Sequence, residues 1–187
     1  MTAFAEVEDL EELLGVTYSE SERPQVGALL NAASGHLRHV IGQDVFPVTT
    51  STYTAYPTFG REDLPQWPVV SVDQVQRGGV DVDFKYRPGF ILVAGDDPVD
   101  VTFTWGVPKA PEELRRLTLV LASQVLQMLK TTGALTAGGL SSLGIDDFRA
   151  AFADGGEHTG VALTPHVEKS IRSRFGRGDV AIVEAYT

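Results

Sequence analysis

Residues 69–84 read VVSVDQVQRGGVDVDF, and this stretch decides the fold expected for the central part of the chain. Apolar residues alternate with polar ones over most of it, on both sides of Arg77-Gly78-Gly79, which is the pattern of two β-strands. The glycine pair supplies the positive φ angles that a tight turn between antiparallel strands requires. The stretch therefore predicts a β-hairpin.

The same two-residue period continues on either side of the hairpin, from about Val48 to Trp105. Phe90 to Val93 and Val99 to Trp105 read as two further strands, separated by the turn-forming residues Gly95-Asp96-Asp97-Pro98. We expect region 48–106 to form a small antiparallel sheet.

Helical spacing replaces this pattern toward the amino terminus. Apolar residues between Glu6 and Leu14 predict a first helix that ends at Gly15, and a second helix is expected to begin near Ser19 or Ser21. The second helix carries a long apolar stripe, which needs a partner surface. The stripe comprises Val26, Leu29, Leu30, Ala33, Leu37, Val40 and Ile41.

Two more helices are expected after the sheet. Glu112 and Glu113 precede a wide apolar face between Leu114 and Lys130, which predicts the central helix of the core. Thr164-Pro165 opens a last helix that continues to Phe175. The fold class expected is therefore mainly α with an inserted small antiparallel β-sheet.

Composition excludes several kinds of function. The 187 residues include 15 Lys and Arg against 25 Asp and Glu, and the formal charge of -10 disfavours binding to nucleic acid or anionic lipid through a basic surface. The chain has no cysteine, which removes disulfides and thiol chemistry. No apolar run approaches the roughly 20 residues of a membrane-spanning helix, so we expect no membrane association.

Candidate metal ligands occur in two places, and neither forms a complete site. His36 and His39 lie three residues apart on the second helix, but no third ligand is placed beside them. Asp96, Asp97 and Asp100 crowd one turn, but their spacing departs from that of calcium-binding loops. We expect no catalytic residues, no cofactor and no metal.

Several motifs occur in a characteristic order along the chain. Two amino-terminal helices end near Asp44, and a strand exit at Tyr56-Pro57 follows. The later motifs are Leu64-Pro65-Gln66-Trp67-Pro68-Val69-Val70-Ser71-Val72, Val99–Gly106, Pro111–Leu114, a Gly/Ser stretch with Leu143–Phe148, and Leu163-Thr164-Pro165.

In this order and spacing, the chain resembles the head-to-tail connector proteins of siphophages, also called head completion or adaptor proteins, particularly those from actinobacterial hosts. The resemblance implies a helical connector fold in one domain, 1–187, with an inserted sheet region 48–106, a flexible loop 134–163, and a carboxyl-terminal helix and interaction tail 164–187. It also implies a virion protein of the head-tail junction, made in the host cytoplasm.

The partners implied by the resemblance are other copies of the chain in a ring of about twelve, the portal protein, and the next neck, stopper or tail protein. Genomic DNA would pass through the channel without specific binding. In this family the carboxyl-terminal segment typically embraces the portal or a neighbouring subunit. Mapped onto this chain, the contact residues are Val167, Ile171, Arg172, Arg174, Phe175, Arg177, Val180, Ile182, Val183 and Tyr186.

Two other functions stay open at the level of sequence. A stopper or tail terminator would be mainly β with shorter helices, and the long helix from Glu112 to Lys130 argues against it. A small hydrolase using Asp or His would need polar groups that converge in a pocket, and the sequence offers no such set.

Overall fold

The computed structural model describes residues 2–131 and 163–176. Within these residues, the segments of helical periodicity form four helices and the segments of two-residue periodicity form seven strands. The helices are α1 (Val7–Leu14), α2 (Arg23–Ile41), α3 (Glu112–Thr131) and α4 (Pro165–Phe175). The strands are β1 (Thr49–Ala55), β2 (Arg61–Asp63), β3 (Val69–Arg77), β4 (Val80–Asp81), β5 (Phe84–Arg87), β6 (Phe90–Val93) and β7 (Val99–Trp105). None of the helices in the described residues is long and apolar enough to cross a membrane.

The described residues fall into two units. The helical unit draws on Met1–Gly42 and Ala110–Arg174, and the sheet unit is built on Gln43–Lys109. The predicted loop 134–163 lies outside the described residues except for Leu163.

The helical unit is organised by the apolar faces that the sequence predicted for α2 and α3. All seven stripe residues of α2 are buried, and Leu114, Leu121, Val125, Leu126 and Leu129 of α3 are buried as well. Helix α1 ends at Gly15, whose φ of 63° allows its N–H to bond the carbonyl of Glu11. These predictions are confirmed.

Helix α2 begins later than predicted. Its first residue is Arg23 rather than a residue beside Ser19 or Ser21. The Ser19 hydroxyl donates to Glu22 Oε2 at 2.6 Å, and the Ser19 carbonyl accepts the N–H of Glu22 at 2.9 Å. A turn therefore occupies the segment before the helix, because the serine side chain bonds a carboxylate rather than the first amides of the helix.

The sheet unit contains two antiparallel sheets. The four-stranded sheet has the order β1-β7-β3-β4, and the three-stranded sheet has the order β2-β6-β5. Gly78 and Gly79 have φ angles of 58° and 81° between β3 and β4, so the predicted turn is confirmed, but the returning strand ends at Asp81 instead of continuing to Phe84.

Both sheets send alternate side chains into one hydrophobic core. Along β7 the odd-numbered residues from Val99 to Trp105 are buried, whereas Asp100, Thr102 and Thr104 face outward. Ile91 and Val93 of β6 contribute the side chains of the other sheet. The remaining buried members are Ala55, Leu64 and Val75.

The predicted fold class, mainly α with an inserted small sheet in a helical connector fold, is wrong. The described residues form a sheet-rich α+β fold with two antiparallel sheets. The strands of 48–106 were expected as one small insertion in a helical scaffold, but they form two sheets with a core of their own. The segment Val80 to Phe84 was also read as one returning strand, whereas β4 ends at Asp81 and Phe84 begins β5 in the second sheet. Strand β1, with the polar sequence TTSTYTA, was not recognised individually.

Candidate interaction surfaces

Helix α4 carries five of the residues that the resemblance assigns to partner contacts. Thr164 accepts the N–H of Val167 through its hydroxyl oxygen at 3.4 Å and the N–H of Glu168 through its carbonyl at 3.0 Å, which starts the helix. Arg172 and Arg174 are exposed, whereas Val167 and Phe175 are half-buried and Ile171 is fully buried. The other five, Arg177, Val180, Ile182, Val183 and Tyr186, lie outside the described residues.

Both arginines of α4 also have bonds inside the helical unit. Arg172 Nε donates to the carbonyl of Val40 at 3.0 Å, in the last turn of α2, where a cation is favourable. Arg174 Nη1 lies 2.7 Å from Glu113 Oε2. The Arg174 side chain is 70% exposed. A partner contact through α4 stays a prediction.

A turn in the sheet unit presents an exposed aromatic side chain. We call residues 58–61 the Phe59 turn. Phe59 is 95% exposed, and its backbone has a φ of 52°, which non-glycine residues rarely adopt. Thr58 and Arg61 exchange two backbone hydrogen bonds, at 2.9 and 3.1 Å, so the turn is closed on both sides of Phe59.

The Phe59 turn is also fixed to the rest of the sheet unit. Gly60 donates its N–H to Asp96 Oδ1 at 2.8 Å and accepts the N–H of Val93 at 2.8 Å. A side chain at Gly60 would begin 2.7 Å from the Val93 carbonyl oxygen, so only glycine fits this approach. These bonds fix the backbone that carries the exposed Phe59 side chain.

The outward side of the four-stranded sheet is covered by hydroxyl, amide and carboxylate groups. Thr50 bonds Thr104, and Thr52 bonds Thr102, each at 2.8 Å between hydroxyl oxygens. We call this side the threonine face. It consists of Thr50, Thr52, Thr54, Thr102, Thr104, Asp73, Asp81, Asp100, Gln74 and Gln76.

The carboxylates of the threonine face accept hydrogen bonds from neutral groups. Thr54 donates to Asp100 at 2.7 Å, and Thr104 donates to Asp73 at 2.8 Å. Asp81 accepts one bond from each of Gln74 and Gln76, at 2.8 and 3.0 Å. Within residues 2–131 and 163–176, no lysine or arginine pairs with these three carboxylates.

The outward side of the three-stranded sheet has the opposite charge. We call it the basic face, and it consists of Arg61, Asp63, Lys85, Arg87, Phe90 and Leu92. Arg61 bonds Asp63 at 3.0 Å and lies 4.0 Å from the centre of the Phe90 ring. Lys85 and Arg87 are exposed and have no ion pair in the part of the chain that the structure describes.

Histidine and carboxylate groups do not assemble into a metal site in the described residues. His39 is exposed on α2, whereas His36 is half-buried. Burial lowers the pKa of His36 below its ordinary value, and the nearby Glu168 partly opposes this effect. Asp96, a candidate ligand in the sequence, instead holds the Phe59 turn through Gly60.

Sequence reasoning did not find the Phe59 turn or the two faces. The alternation of aromatic and basic residues in Phe84-Lys85-Tyr86-Arg87 was a usable signal for a strand with a basic side, but only Phe84 was assigned, as the end of the hairpin. For Phe59 the only local signal was the glycine that follows it, because exposure depends on tertiary packing.

No known protein family matches this chain, and no curated protein matches it as a relative.

Proposed function

We propose that the protein is a structural head-to-tail adaptor of a tailed phage. It forms a ring of about twelve copies under the portal, extends the DNA channel, and links the filled head to the next neck or tail protein. The proposal starts from the order of the sequence motifs, which the connector proteins share.

The structural observation that supports this proposal best is the Phe59 turn. Aromatic side chains are enriched at the centres of protein interfaces, where they fill a pocket of the partner. A 95% exposed phenylalanine on a turn closed by hydrogen bonds is suited to contact a neighbouring protein. Such a contact fits a protein that works by assembly.

Charge supports the channel part of the proposal. The chain has a formal charge of -10, and like charge keeps a DNA backbone from adhering to a surface along which it slides. The carboxyl-terminal segment 164–187 supplies the portal contact in this proposal, through the exposed Arg172 and Arg174 and the residues that follow α4.

A stopper or tail terminator is the second candidate. The two antiparallel sheets favour it, since such proteins would be mainly β. Helices α2 and α3, with 19 and 20 residues, favour the adaptor instead. The two candidates differ in the surface on which they assemble, because an adaptor binds the portal directly.

Electron microscopy of the purified protein, alone and mixed with the portal ring encoded beside it, tests the proposal. We expect a new layer of about twelvefold symmetry under the portal. If the folded protein adds no layer at any mixing ratio, the adaptor proposal is wrong and the stopper becomes the better candidate.

The variant Phe59→Ser tests the role of the turn in the same experiment. We expect it to fold normally and to lose a contact of the assembled junction, either with the portal or with the next protein. Val80→Ser is the matched control, since it removes another exposed apolar side chain, at the start of β4 in the same unit. Equal assembly by the two variants would remove Phe59 from the proposal.

A further inference from the structure

We propose that copies of this chain associate head to tail through their sheet units, with the basic face of one copy against the threonine face of the next. The inference rests on the proposed function for the ring as a whole. It goes further by naming the two surfaces that join neighbouring copies.

The two faces lie on opposite sides of the same unit. The inward residues of both sheets, such as Phe103 and Ile91, belong to one hydrophobic core. In a pair of sheets that share a core, the outward faces point away from each other. One copy therefore offers both surfaces at once, and neither surface blocks the other.

The charges of the two faces are complementary. The threonine face has Asp73, Asp81 and Asp100, and none of the residues assigned to it is a lysine or arginine. Three of the five Lys and Arg residues in 43–109 lie on the basic face, where Asp63 is the only carboxylate assigned. The rest of the sheet unit is acidic, so the concentration of basic residues on one face does not follow from the composition of the unit.

The chemistry of the two faces also fits a contact that excludes water. Lys85 and Arg87 have no ion pair in the described residues, and the three carboxylates of the opposite face have only neutral donors. Each side therefore has unneutralised charge that the other can pair. Leu92, which is 37% exposed, and the half-buried Phe90 add apolar area in the middle of the basic face.

The symmetry of such a contact permits a ring. Because the two faces differ, pairing them leaves one free face at each end of a dimer, so further copies add, and a rotation between copies that closes gives a ring rather than an open filament. A contact between identical faces would stop at a dimer. The sheet unit is thus the part of the chain that we expect to define the ring.

Disulfide trapping tests the pairing directly, because the chain has no cysteine of its own. Thr52→Cys places a thiol on the threonine face, and Leu92→Cys places one on the basic face. Under mild oxidation we expect the mixture of these two variants to form a covalent heterodimer, and the double variant to form a ladder of oligomers. Thr52→Cys mixed with Val120→Cys, an exposed position on α3, is the control.

Trapping in the test mixture that does not exceed trapping in the control mixture would overturn the inference. Charge reversal gives a second, independent measurement. In sedimentation velocity at low salt, Lys85→Glu with Arg87→Glu should weaken association at least about tenfold. Asp73→Lys with Asp81→Lys should do the same, and all four changes in one chain should restore it.

Lys109→Glu is the matched control for charge, since Lys109 is exposed in the same unit but lies outside both faces. Unchanged association in the charge-reversed variants would also overturn the inference. Portal binding separates this result from the proposed function. If the protein forms a layer on the portal but shows no head-to-tail trapping, the adaptor proposal stands and this inference is wrong. If trapping occurs but the protein does not bind the portal, this inference stands and the adaptor proposal is wrong.

Discussion

Gly106 follows β7 with a backbone φ of 98°, in a region that side chains rarely adopt. A Cβ atom at this position would lie 2.6 Å from the Pro47 carbonyl oxygen. We expect Gly106→Ala to lower the free energy of unfolding by about 2–3 kcal/mol, because the strained φ and the contact with backbone act together. Urea denaturation measures the change.

Gly27→Ala is the matched control for Gly106→Ala. Gly27 lies inside α2, and a Cβ there would meet nothing within 4 Å. We expect this variant to be more stable than the parent by about 0.5–1 kcal/mol, since alanine loses less backbone entropy in a helix. Equal effects of the two substitutions would contradict the argument about the Gly106 backbone.

His36 gives the helical unit a dependence on pH. Its pKa in the folded state is lowered from 6.5, mainly by burial, so the unfolded chain binds the proton more readily. The stability that this difference contributes is complete above pH 6.5 and is lost as the pH falls toward the folded-state pKa. We expect the urea midpoint of the parent protein to fall more steeply between pH 7.5 and pH 5.5 than that of His36→Gln.

His39→Gln is the control for removing a histidine from α2 without removing a buried one, since His39 is exposed. This variant should keep most of the pH dependence of the parent, because it leaves in place the burial of His36, which is the largest cause of the lowered pKa, and removes only the smaller contribution of His39. If His36→Gln retains the same slope as His39→Gln, burial of His36 does not govern the effect.

At the level of residues, sequence predicted the positions where backbone geometry limits the choice of residue. Gly15, Gly78 and Gly79 were expected at a helix end or a turn, and all have positive φ. Phe59 was not expected, although its φ is also positive, because aromatic residues have no preference for that conformation. Its geometry is set by Asp96 and Val93, which are distant in the sequence.

The strands of the sheet unit depend on the core between the two sheets. Phe103 of β7 is fully buried, and its ring packs edge-on against Tyr53 of β1 with 5.7 Å between ring centres. We expect Phe103→Ala to cost about 3–5 kcal/mol, because it leaves a cavity and removes an aromatic contact. Thr102→Ala, on the outward side of the same strand, should cost less than about 1 kcal/mol.

Chemical denaturation followed by the fluorescence of Trp105 and Trp67, both in the sheet unit, measures these changes. A loss for Phe103→Ala as small as that for Thr102→Ala would contradict the assignment of Phe103 to the core.

Element boundaries were most predictable where one pattern ran without interruption. Phe90–Val93 and Val99–Trp105 were expected with the bounds that β6 and β7 have. The start of α2 was not, because Ser19 bonds the side chain of Glu22 instead of capping the helix. Phe84, the first residue of β5, was assigned to the hairpin because periodicity does not show that the chain changes sheets between Asp81 and Phe84.

For the whole molecule, the carboxyl-terminal segment gives the sharpest test of assembly. Deleting residues 179–187 removes Val180, Ile182, Val183 and Tyr186 and leaves every described helix and strand intact. We expect the far-ultraviolet circular dichroism per residue and the urea midpoint to stay close to those of the parent, while docking on the portal ring is lost. Docking of the shortened chain would refute the assignment of the tail.

The predicted fold class gave the helices too much weight, because the sheet region was expected as an insertion rather than as a unit with its own core. The sequence indicated strands throughout 48–106, but the separation into a four-stranded and a three-stranded sheet follows from long-range pairing. Long-range pairing also produces the threonine face, where Asp73, Asp81 and Asp100 come from the three strands β3, β4 and β7. Sequence spacing alone does not show that such residues share one surface.

The pairing of β1 with β7 has a further consequence for how the gene can change. These strands open and close the sheet unit, and they pair from Thr49 with Trp105 to Ala55 with Val99. Val107 donates its N–H to the carbonyl of Val45 at 2.9 Å, so the chain enters and leaves the unit side by side. Because the two ends of the sheet unit lie close together, recombination at two points in the gene can replace the unit. A short linker can also take its place, and the path of the chain before and after the unit need not change.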